Sequence, residues 1–426
     1  VDKRNFLKTS AAALAGSIMP KMSFGQTEAP KPTRTNWAGN YTYSTTHLEL
    51  PSTTGELRHA IASTPHVKAL GARHSFNGIA DSREEQISLA HLNSIDIGLD
   101  PTTGTVTVGA GVTYGQLAPF LHRRGFALHN LASLPHISVV GACATGTHGS
   151  GLHNGNLATA VRGIEIMTAD GKLHGLFPFT IGGRFAGAAV GLGALGVIVR
   201  ITLAIQPTFQ ISQVVYRNLD FDVLKDHLRE IFASGYSVSL FTDWQNHRAT
   251  QVWIKSKLAP GQTLPSAPTF HGATLQTEKL HPIAGTDPTN CTDQMGIPGP
   301  WHERLPHFKM NFTPSRGQEL QTEYFIPLEH GYEAIRAVEA LRDRIAPHLF
   351  ITEFRTVAAD DLWMSMAYQR DSLALHFTWK PEWPAVREIL PLIEAKLAPF
   401  APRPHWAKLF TMNPAPLDPR LADFRA

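Results

Sequence analysis

The amino-acid sequence predicts an α+β protein of two domains, and three observations carry that expectation. At 426 residues the chain is longer than one hydrophobic core usually serves. β-Branched runs alternate with helix-period segments, separated by Asp-Gly and glycine-rich turns. Near Pro207 the pattern changes: strands and amphipathic helices now flank a long Pro/His/Gly-rich passage, Ala259 to Pro306. That second half reads as an antiparallel sheet with helices on one face.

Composition removes several function classes. Charged residues make up 17% and apolar residues 43%, which suits a packed globule and not a disordered chain. A net charge of +3 is too small to point to a nucleic-acid partner. Two cysteines, Cys143 and Cys291, are too few for a disulfide scaffold or a cysteine metal site. The 21 histidines are scattered and no His-Glu-x-x-His occurs, so no metal site is expected.

Taken in order, the chain opens on what reads as an address. Lys3-Arg4-Asn5-Phe6-Leu7-Lys8 precedes an apolar run from Ala11 to Met19 that is too short to span a bilayer. It is similar to a twin-arginine export signal with Lys3 in place of one arginine. The expectation is a periplasmic or secreted protein, handled by the twin-arginine machinery, with no stable membrane span. An ordinary signal or a disordered tail is the alternative. Past a Pro/Thr linker, Leu57–Ser63 reads as a helix, and His66–Leu70, Gln86–Ala90 and Thr105–Val108 as strands. Thr113 caps a helix that Gly125 stops. Val161–Thr168 and Val197–Ile205 are further strands. In the second half Tyr236–Trp244 and Gln251–Lys255 read as strands, and Phe221–Ala233, Glu329–Ile345 and Pro381–Leu397 as helices.

The stretch Leu131–Gly151 places Gly141, Gly146, Gly149 and Gly151 among Ser, Thr and His with almost no charge. Glycines at this density bring backbone N–H groups close to an anion, and hydroxyls add donors, which is what a pyrophosphate needs. The stretch lacks the P-loop Lys-Ser/Thr and has the wrong spacing for the dinucleotide fingerprint. On glycine content alone, a glycine-rich surface loop is the better explanation.

Polar residues also stand where an apolar core is expected. Glu353 and Arg355 in Ile351–Arg355 share one face of a strand, as do His376 and Thr378 in Leu373–Trp379. One such pair is usually a solvent edge. Two, with flanks this apolar, point to a polar sheet face lining a cavity. Lys408 lies between aromatics in a strand-like segment, Pro404–Phe410. It either snorkels to water or is a cation held at a site.

Gly71-Ala72-Arg73-His74-Ser75-Phe76-Asn77, Ser133-Leu134-Pro135-His136-Ile137-Ser138, Ala144-Thr145-Gly146-Thr147-His148-Gly149 and His405-Trp406-Ala407-Lys408 together resemble the vanillyl-alcohol-oxidase superfamily of flavoproteins. Within it the similarity is to sugar-alcohol and aldonolactone oxidases. Thr35–Asn40, Tyr236–Trp244, Pro298–Phe308 and Arg355–Asp360 bring it nearest to bacterial alditol oxidases. The resemblance runs from about Thr35 to Phe424. After the export signal (1–29) read above, it implies an FAD-binding domain (30–206), a substrate or cap domain (207–398) and a C-terminal segment (399–426) returning to the flavin.

Carried over residue by residue, the resemblance implies FAD attached covalently through His74, within Gly71, Ala72, Arg73, Ser75 and Phe76. Ser138, Gly141, Thr145, Gly146, Thr147, His148 and Gly149 are to hold the ribityl chain and pyrophosphate, with Gly196 and Val197 at the adenine. Ala132 is to abut the flavin where O2 approaches, and Ser133 to reach the substrate. Glu353, Arg355, His376, Thr378 and Lys408 match the pocket that grips polyol hydroxyls, with Lys408, Arg355, Glu353 and His376 as the catalytic set. His376 is a base candidate by its ordinary pKa. Cys143 reads as a packed thiol and not a second flavin link. Such enzymes continue past a segment like Pro419–Phe424 into a stretch with an asparagine near the flavin, so the expectation is either that the sequence is truncated or that this wall of the site is built otherwise. The function implied is oxidation of a terminal hydroxyl of a small polyol to the aldehyde, with O2 reduced to hydrogen peroxide. An aldonolactone oxidase or dehydrogenase shares the same features, and a periplasmic flavin- or metal-binding protein without turnover is the third reading.

Overall fold

A computed structural model describes residues 33–98, 104–259, 261–264, 266–312 and 318–413. The export-signal segment and Pro419–Phe424 lie outside the described residues. Leu48–Glu49 (β1), Val67–Leu70 (β2) and Glu85–Ser88 (β3) form a small parallel sheet in the order β1-β3-β2. Helix α1 (Thr54–Ser63) covers it. Thr53 caps that helix by accepting from the Glu56 N–H, and Leu57, Ala60 and Ile61 turn inward.

An antiparallel sheet follows, built from Ile95–Gly98 (β4), Thr105–Gly109 (β5), Val161–Met167 (β6), Leu173–Leu176 (β7) and Val197–Ala204 (β8) in the order β4-β5-β8-β6-β7. Helix α2 (Tyr114–His122) starts where Gln116 accepts from the Thr113 N–H at 2.9 Å. The glycine-rich stretch is not all loop: Val139–Ala144 forms a short helix, α3, after Ser138. The run Val-Val-Gly-Ala-Cys-Ala buries Val139, Ala142 and Cys143, and that burial outweighs the one glycine. Cys143 is fully buried against the Tyr114 hydroxyl at 3.7 Å, and burial pushes its thiol up to about 12.

The second half is one large antiparallel sheet. Its long strands are Gln210–Asp220 (β9), Ser237–Thr242 (β10), Arg248–Leu258 (β11), Leu320–Pro327 (β12), Leu349–Val357 (β13) and Ser372–Trp379 (β14). They run in the order β9-β11-β10-β13-β14-β12, and Arg403–Pro404 adds a short strand beside β12. Helices α4 (Leu224–Ala233), α5 (Gly331–Glu339) and α6 (Trp383–Leu397) pack on one face. There Leu240, Phe354, Leu375, Phe377 and Trp379 meet Leu228, Ile335 and Ile393 in a single core. With period-2 alternation the opposite face carries Gln321, Glu323, Glu353, Arg355, His376 and Thr378.

Three expectations change. The helix read over Glu329–Ile345 breaks after Glu339 and resumes as a single turn, Arg342–Ile345. Lys408 sits in a turn and not on a strand, because pairing beside β12 stops at Pro404, immediately before the His-Trp-Ala-Lys run. Strands β9 and β12 went unread: Gln213, Gln321 and Glu323 interrupt their apolar runs and only tertiary partners make those positions tolerable. Among the described residues no helix is long and apolar enough to cross a membrane.

Trp244 and Thr352 are both fully buried, and the indole N–H donates to the Thr352 hydroxyl at 2.8 Å. Thr352→Val keeps the shape and orphans the indole. Denaturant unfolding should show a loss of about 1–3 kcal/mol; an unchanged midpoint would mean that the indole finds another acceptor.

Candidate functional site

A cavity of about 470 Å³ opens where four parts of the chain converge: the turn after β2, the Ala132–His148 stretch, the polar face of the large sheet, and the His405–Lys408 turn. Small residues let the backbone itself form much of the wall. Gly71, Gly141 and Ser138 interlock so closely that a Cβ on either glycine would stand 2.6 Å from the Ser138 hydroxyl. Hydroxyls of Ser75, Ser133, Thr145 and Thr147 and the apolar side chains of Ile79, Leu89, Val140 and Ile198 also line it. At one end, Lys68 donates to the carbonyls of Leu192 (3.1 Å) and Gly193 (3.3 Å).

Charge concentrates at the sheet end. Arg355 Nη2 donates to Glu323 Oε1 at 2.6 Å, and His148 Nε2 lies 3.0 Å from the same oxygen. Burial alone would raise Glu323, but His148 and Arg355 outweigh it and hold the carboxyl well below its usual range. Gln321 donates to Glu319 and accepts from Lys408 Nζ, and its Oε1 lies 3.2 Å from His376 Nε2. The acceptor is a carbonyl oxygen, so His376 carries its proton on Nε2 and leaves Nδ1 as an acceptor. Burial, with Lys408 and Arg355 nearby, pulls His376 down to about 3 against the pull of Glu323. Burial also brings Lys408 down to about 8; Glu323 opposes that shift and Arg355 adds to it.

His74 lies on the cavity wall, its Nδ1 3.4 Å from His136 Nε2 and its ring centroid 4.4 Å from that of Trp37. Burial, then the charge of Lys408, keeps it well below the ordinary histidine pKa, and its imidazole is neutral. The preceding Arg73 has φ 61°, a left-handed conformation uncommon for a non-glycine residue. The turn that presents His74 is therefore held by its surroundings. Asn77 is one such tie: its amide donates to the carbonyls of Trp406 (2.9 Å) and Lys408 (2.8 Å), while its oxygen accepts from the Ile79 N–H at 3.1 Å. The Phe76 N–H donates to the Ala407 carbonyl at 2.8 Å. These bonds fasten the His74 turn to the Lys408 turn.

Of the residues singled out in the sequence, Gly71, Ala72, Arg73, His74, Ser75, Ala132, Ser133, Ser138, Gly141, Thr145, Thr147, His148, Gly196, Arg355, His376 and Lys408 line this one cavity. Six stand behind its wall. Phe76 is buried in the core of the large sheet and Val197 in the core under α1. Gly146, at φ 67°, leaves room for Met366, and Gly149 packs against Asn130 and the Leu131 carbonyl. Thr378 lies next to Gln321 in register on the sheet face, without lining the cavity. Glu353 is likewise set back: His307 Nε2 holds its Oε1 at 2.7 Å, and Arg355 Nε lies 3.6 Å from Oε2. Alternation places a side chain on a face, but not along that face, and the cavity reaches only part of it.

Gln321, Glu323 and His405 line the cavity and were not singled out as site residues. Gln321 and Glu323 carry the same signal as Glu353 and Arg355, two polar groups spaced by two in an apolar run, and could have been found by it. His405, within the motif that ends at Lys408, is buried and held well below its usual pKa by that burial. Nitrogens of His148 and His405 and an oxygen of Glu323 lie within 4.8 Å of one another, a spacing open to a metal ion, but Glu323 is already engaged by Arg355.

The wall fits an elongated ligand with an anionic part. Small residues and hydroxyl donors line it, Lys68, Arg73, Arg355 and Lys408 add cations, and His136 Nδ1 is buried with no protein partner. Comparison with known proteins agrees. Residues 47–177 match the FAD-binding domain family, and residues 308–426 match the D-arabinono-1,4-lactone oxidase family. An alditol oxidase from a Streptomyces species is 46% identical over 92% of this chain and 94% of its own. An L-gulono-1,4-lactone dehydrogenase of Mycobacterium tuberculosis is 30% identical over 91% of this chain and 92% of its own. The solved cholesterol oxidase of B. sterolicum shares the fold at a TM-score of 0.70 and 14% identity, over 90% of this chain and 87% of that one.

Asn77→Ala removes both ties to the Lys408 turn. Amide hydrogen exchange should accelerate at residues 405–409 while the large sheet keeps its protection, with a global cost of about 1–3 kcal/mol. Unaltered exchange in that turn would show that something other than Asn77 holds it.

Proposed function

The chain belongs to the alditol oxidase family, and from that premise we propose that its cavity binds FAD and oxidises a terminal hydroxyl of a small polyol to the aldehyde. The observation that carries this reading is the convergence of Arg355, Lys408, Glu323, Gln321 and His376 in a cavity otherwise walled largely by backbone, hydroxyls and apolar side chains. Bound there, FAD supplies the hydride acceptor. Gly71–Ser75 and Ser138–Thr147 would hold it.

The residues at the sheet end do the rest. Arg355 and Lys408 supply positive charge in a water-poor space, and such groups stabilise negative charge that develops in the transition state. Gln321 and Glu323 present hydrogen-bond acceptors to hydroxyls further along the substrate. His376, neutral and protonated on Nε2, is the group proposed to take the hydroxyl proton on Nδ1. Its low pKa means that it passes the proton on and does not store it.

Covalent attachment at His74 is part of the same proposal. Its support is a neutral imidazole on the cavity wall, in tilted contact with the Trp37 ring and ringed by groups that disfavour protonation. O2 as acceptor with hydrogen peroxide as product, and twin-arginine export to the periplasm or beyond, complete the reading. The export proposal rests on Lys3–Lys8 alone. The match of residues 308–426 to the arabinonolactone oxidase family favours a second reading, oxidation of an aldonolactone.

Anaerobic mixing of the flavoprotein with xylitol, sorbitol, glycerol and aldono-1,4-lactones separates the two. Bleaching by the polyols, with recovery and peroxide on admitting air, is expected; bleaching by lactones alone would establish the second reading. Because the sheet end of the cavity is polar, five-carbon alditols should exceed alkanols of matched length by about four orders of magnitude in kcat/KM. Equal efficiency with 1-pentanol would overturn the polyol assignment.

Two substitutions test the roles. Denatured wild-type protein should retain flavin fluorescence on a gel and His74→Ala should lose it; flavin retained by the variant would move the attachment elsewhere. Lys408→Met should slow flavin reduction by about two to three orders of magnitude. In the wild type the rate should fall as pH rises through about 8, where Lys408 loses its proton, and that limb should vanish in the variant. A limb that persists would assign it to another group.

A further inference from the structure

Lys255 is buried to 1% exposure in the middle of β11, and nothing in the proposed reaction uses it. Its ammonium donates to the Leu305 carbonyl, to the Pro306 carbonyl at 3.1 Å and to His307 Nδ1 at 3.3 Å. Three acceptors match the three ammonium hydrogens. All three acceptors come from Pro298–Phe308, a segment singled out in the sequence for which the site so far has no role. His307 is also buried, closed in by the rings of Phe241 and Trp253.

The consequence is a fixed tautomer. Glu353 is held ionised and its carboxylate can only accept, so the His307 proton sits on Nε2, 2.7 Å from Glu353 Oε1, and Nδ1 is left bare to accept from Lys255. The other oxygen of Glu353 lies 3.6 Å from Arg355 Nε, and Arg355 reaches on to Glu323 in the cavity. We infer that Lys255 and His307 are positioning residues: Lys255 occupies the bare Nδ1 of His307 and holds the ring, His307 holds Glu353, and Glu353 aims the cavity arginine from behind. The alternative tautomer would set a nitrogen lone pair against an ionised carboxylate and release Glu353 from that side. The inference rests on the polyol reading for its kinetic consequence, but not for its geometry.

Glutamine is the informative replacement at His307. Its amide oxygen can accept from Lys255 while its NH2 donates to Glu353, which reproduces the polarity of the imidazole. Leucine reproduces neither. With xylitol, His307→Leu should lower kcat/KM by about 10- to 100-fold, the range for losing one hydrogen bond to a charged group. His307→Gln should recover most of that loss at equal flavin content. Equal impairment in the two variants, or none in His307→Leu, would overturn the inference. A second measurement needs neither turnover nor a folded leucine variant. The long-range 1H–15N spectrum of histidine-labelled wild type, with the His307 signals identified by their absence in His307→Gln, should show a bare Nδ1 and a protonated Nε2. A proton on Nδ1 would overturn the inference whatever the substrate. Wild type inert to polyols but with Nε2 protonated would sink the polyol reading and leave the positioning chain standing.

Discussion

The ion pair between Arg355 and Glu323 is what the rest of the site depends on. Both side chains are buried, and a buried charge persists only where its partners replace water. Each partner comes from a different strand, and His148 joins from the glycine-rich stretch. Removing Arg355 would leave Glu323 with only His148, and removing Glu323 would leave Arg355 with only the more distant Glu353, so the cost approaches but does not reach the ~3–5 kcal/mol typical of a fully uncompensated buried charge. The pair therefore anchors three separate parts of the chain and cancels its own charge, so that Lys408 supplies the surplus positive charge beside it.

Hydrogen bonding to backbone does what charge does not. Asn77 and the Phe76 N–H fasten the turn bearing His74 to the turn bearing Lys408. Tyr324 and Thr411 both bond Glu394 on α6, so the chain after Lys408 is also tied to the helical layer. Lys408 thus owes its position to neighbours on both sides, although it sits in a turn with no sheet partner of its own. A lysine so placed can be stripped of water and still reach Gln321, which is why its pKa falls towards 8.

The same logic explains why a polar sheet face can be buried at all. On the helix-covered face, Leu, Phe and Trp side chains bury apolar area without further conditions. On the opposite face every charged group is bracketed: Lys255 by carbonyls and His307, Glu353 by His307 and Arg355, Glu323 by Arg355 and His148. Such a network is tolerable only when nearly complete, and the cavity is where it is left open to a ligand.

Local patterns decided much of this protein. Period-2 spacing showed that Glu353 and Arg355, and His376 and Thr378, share strand faces, and flanking apolar residues showed that those faces are buried. Helix α2 was legible from Thr113 and Gly125, because a cap and a stop act within one turn of chain. The resemblance brought together the His74 turn, the glycine-rich stretch and the His405–Lys408 run. Tertiary structure decided which of the polar residues reach the cavity. It set Glu353 and Thr378 back, brought Gln321 and Glu323 forward, turned Val139–Ala144 into a helix and left Lys408 in a turn. Spacing along a strand says which side a residue faces; where a cavity ends along that side depends on elements hundreds of residues away, and only their packing supplies that.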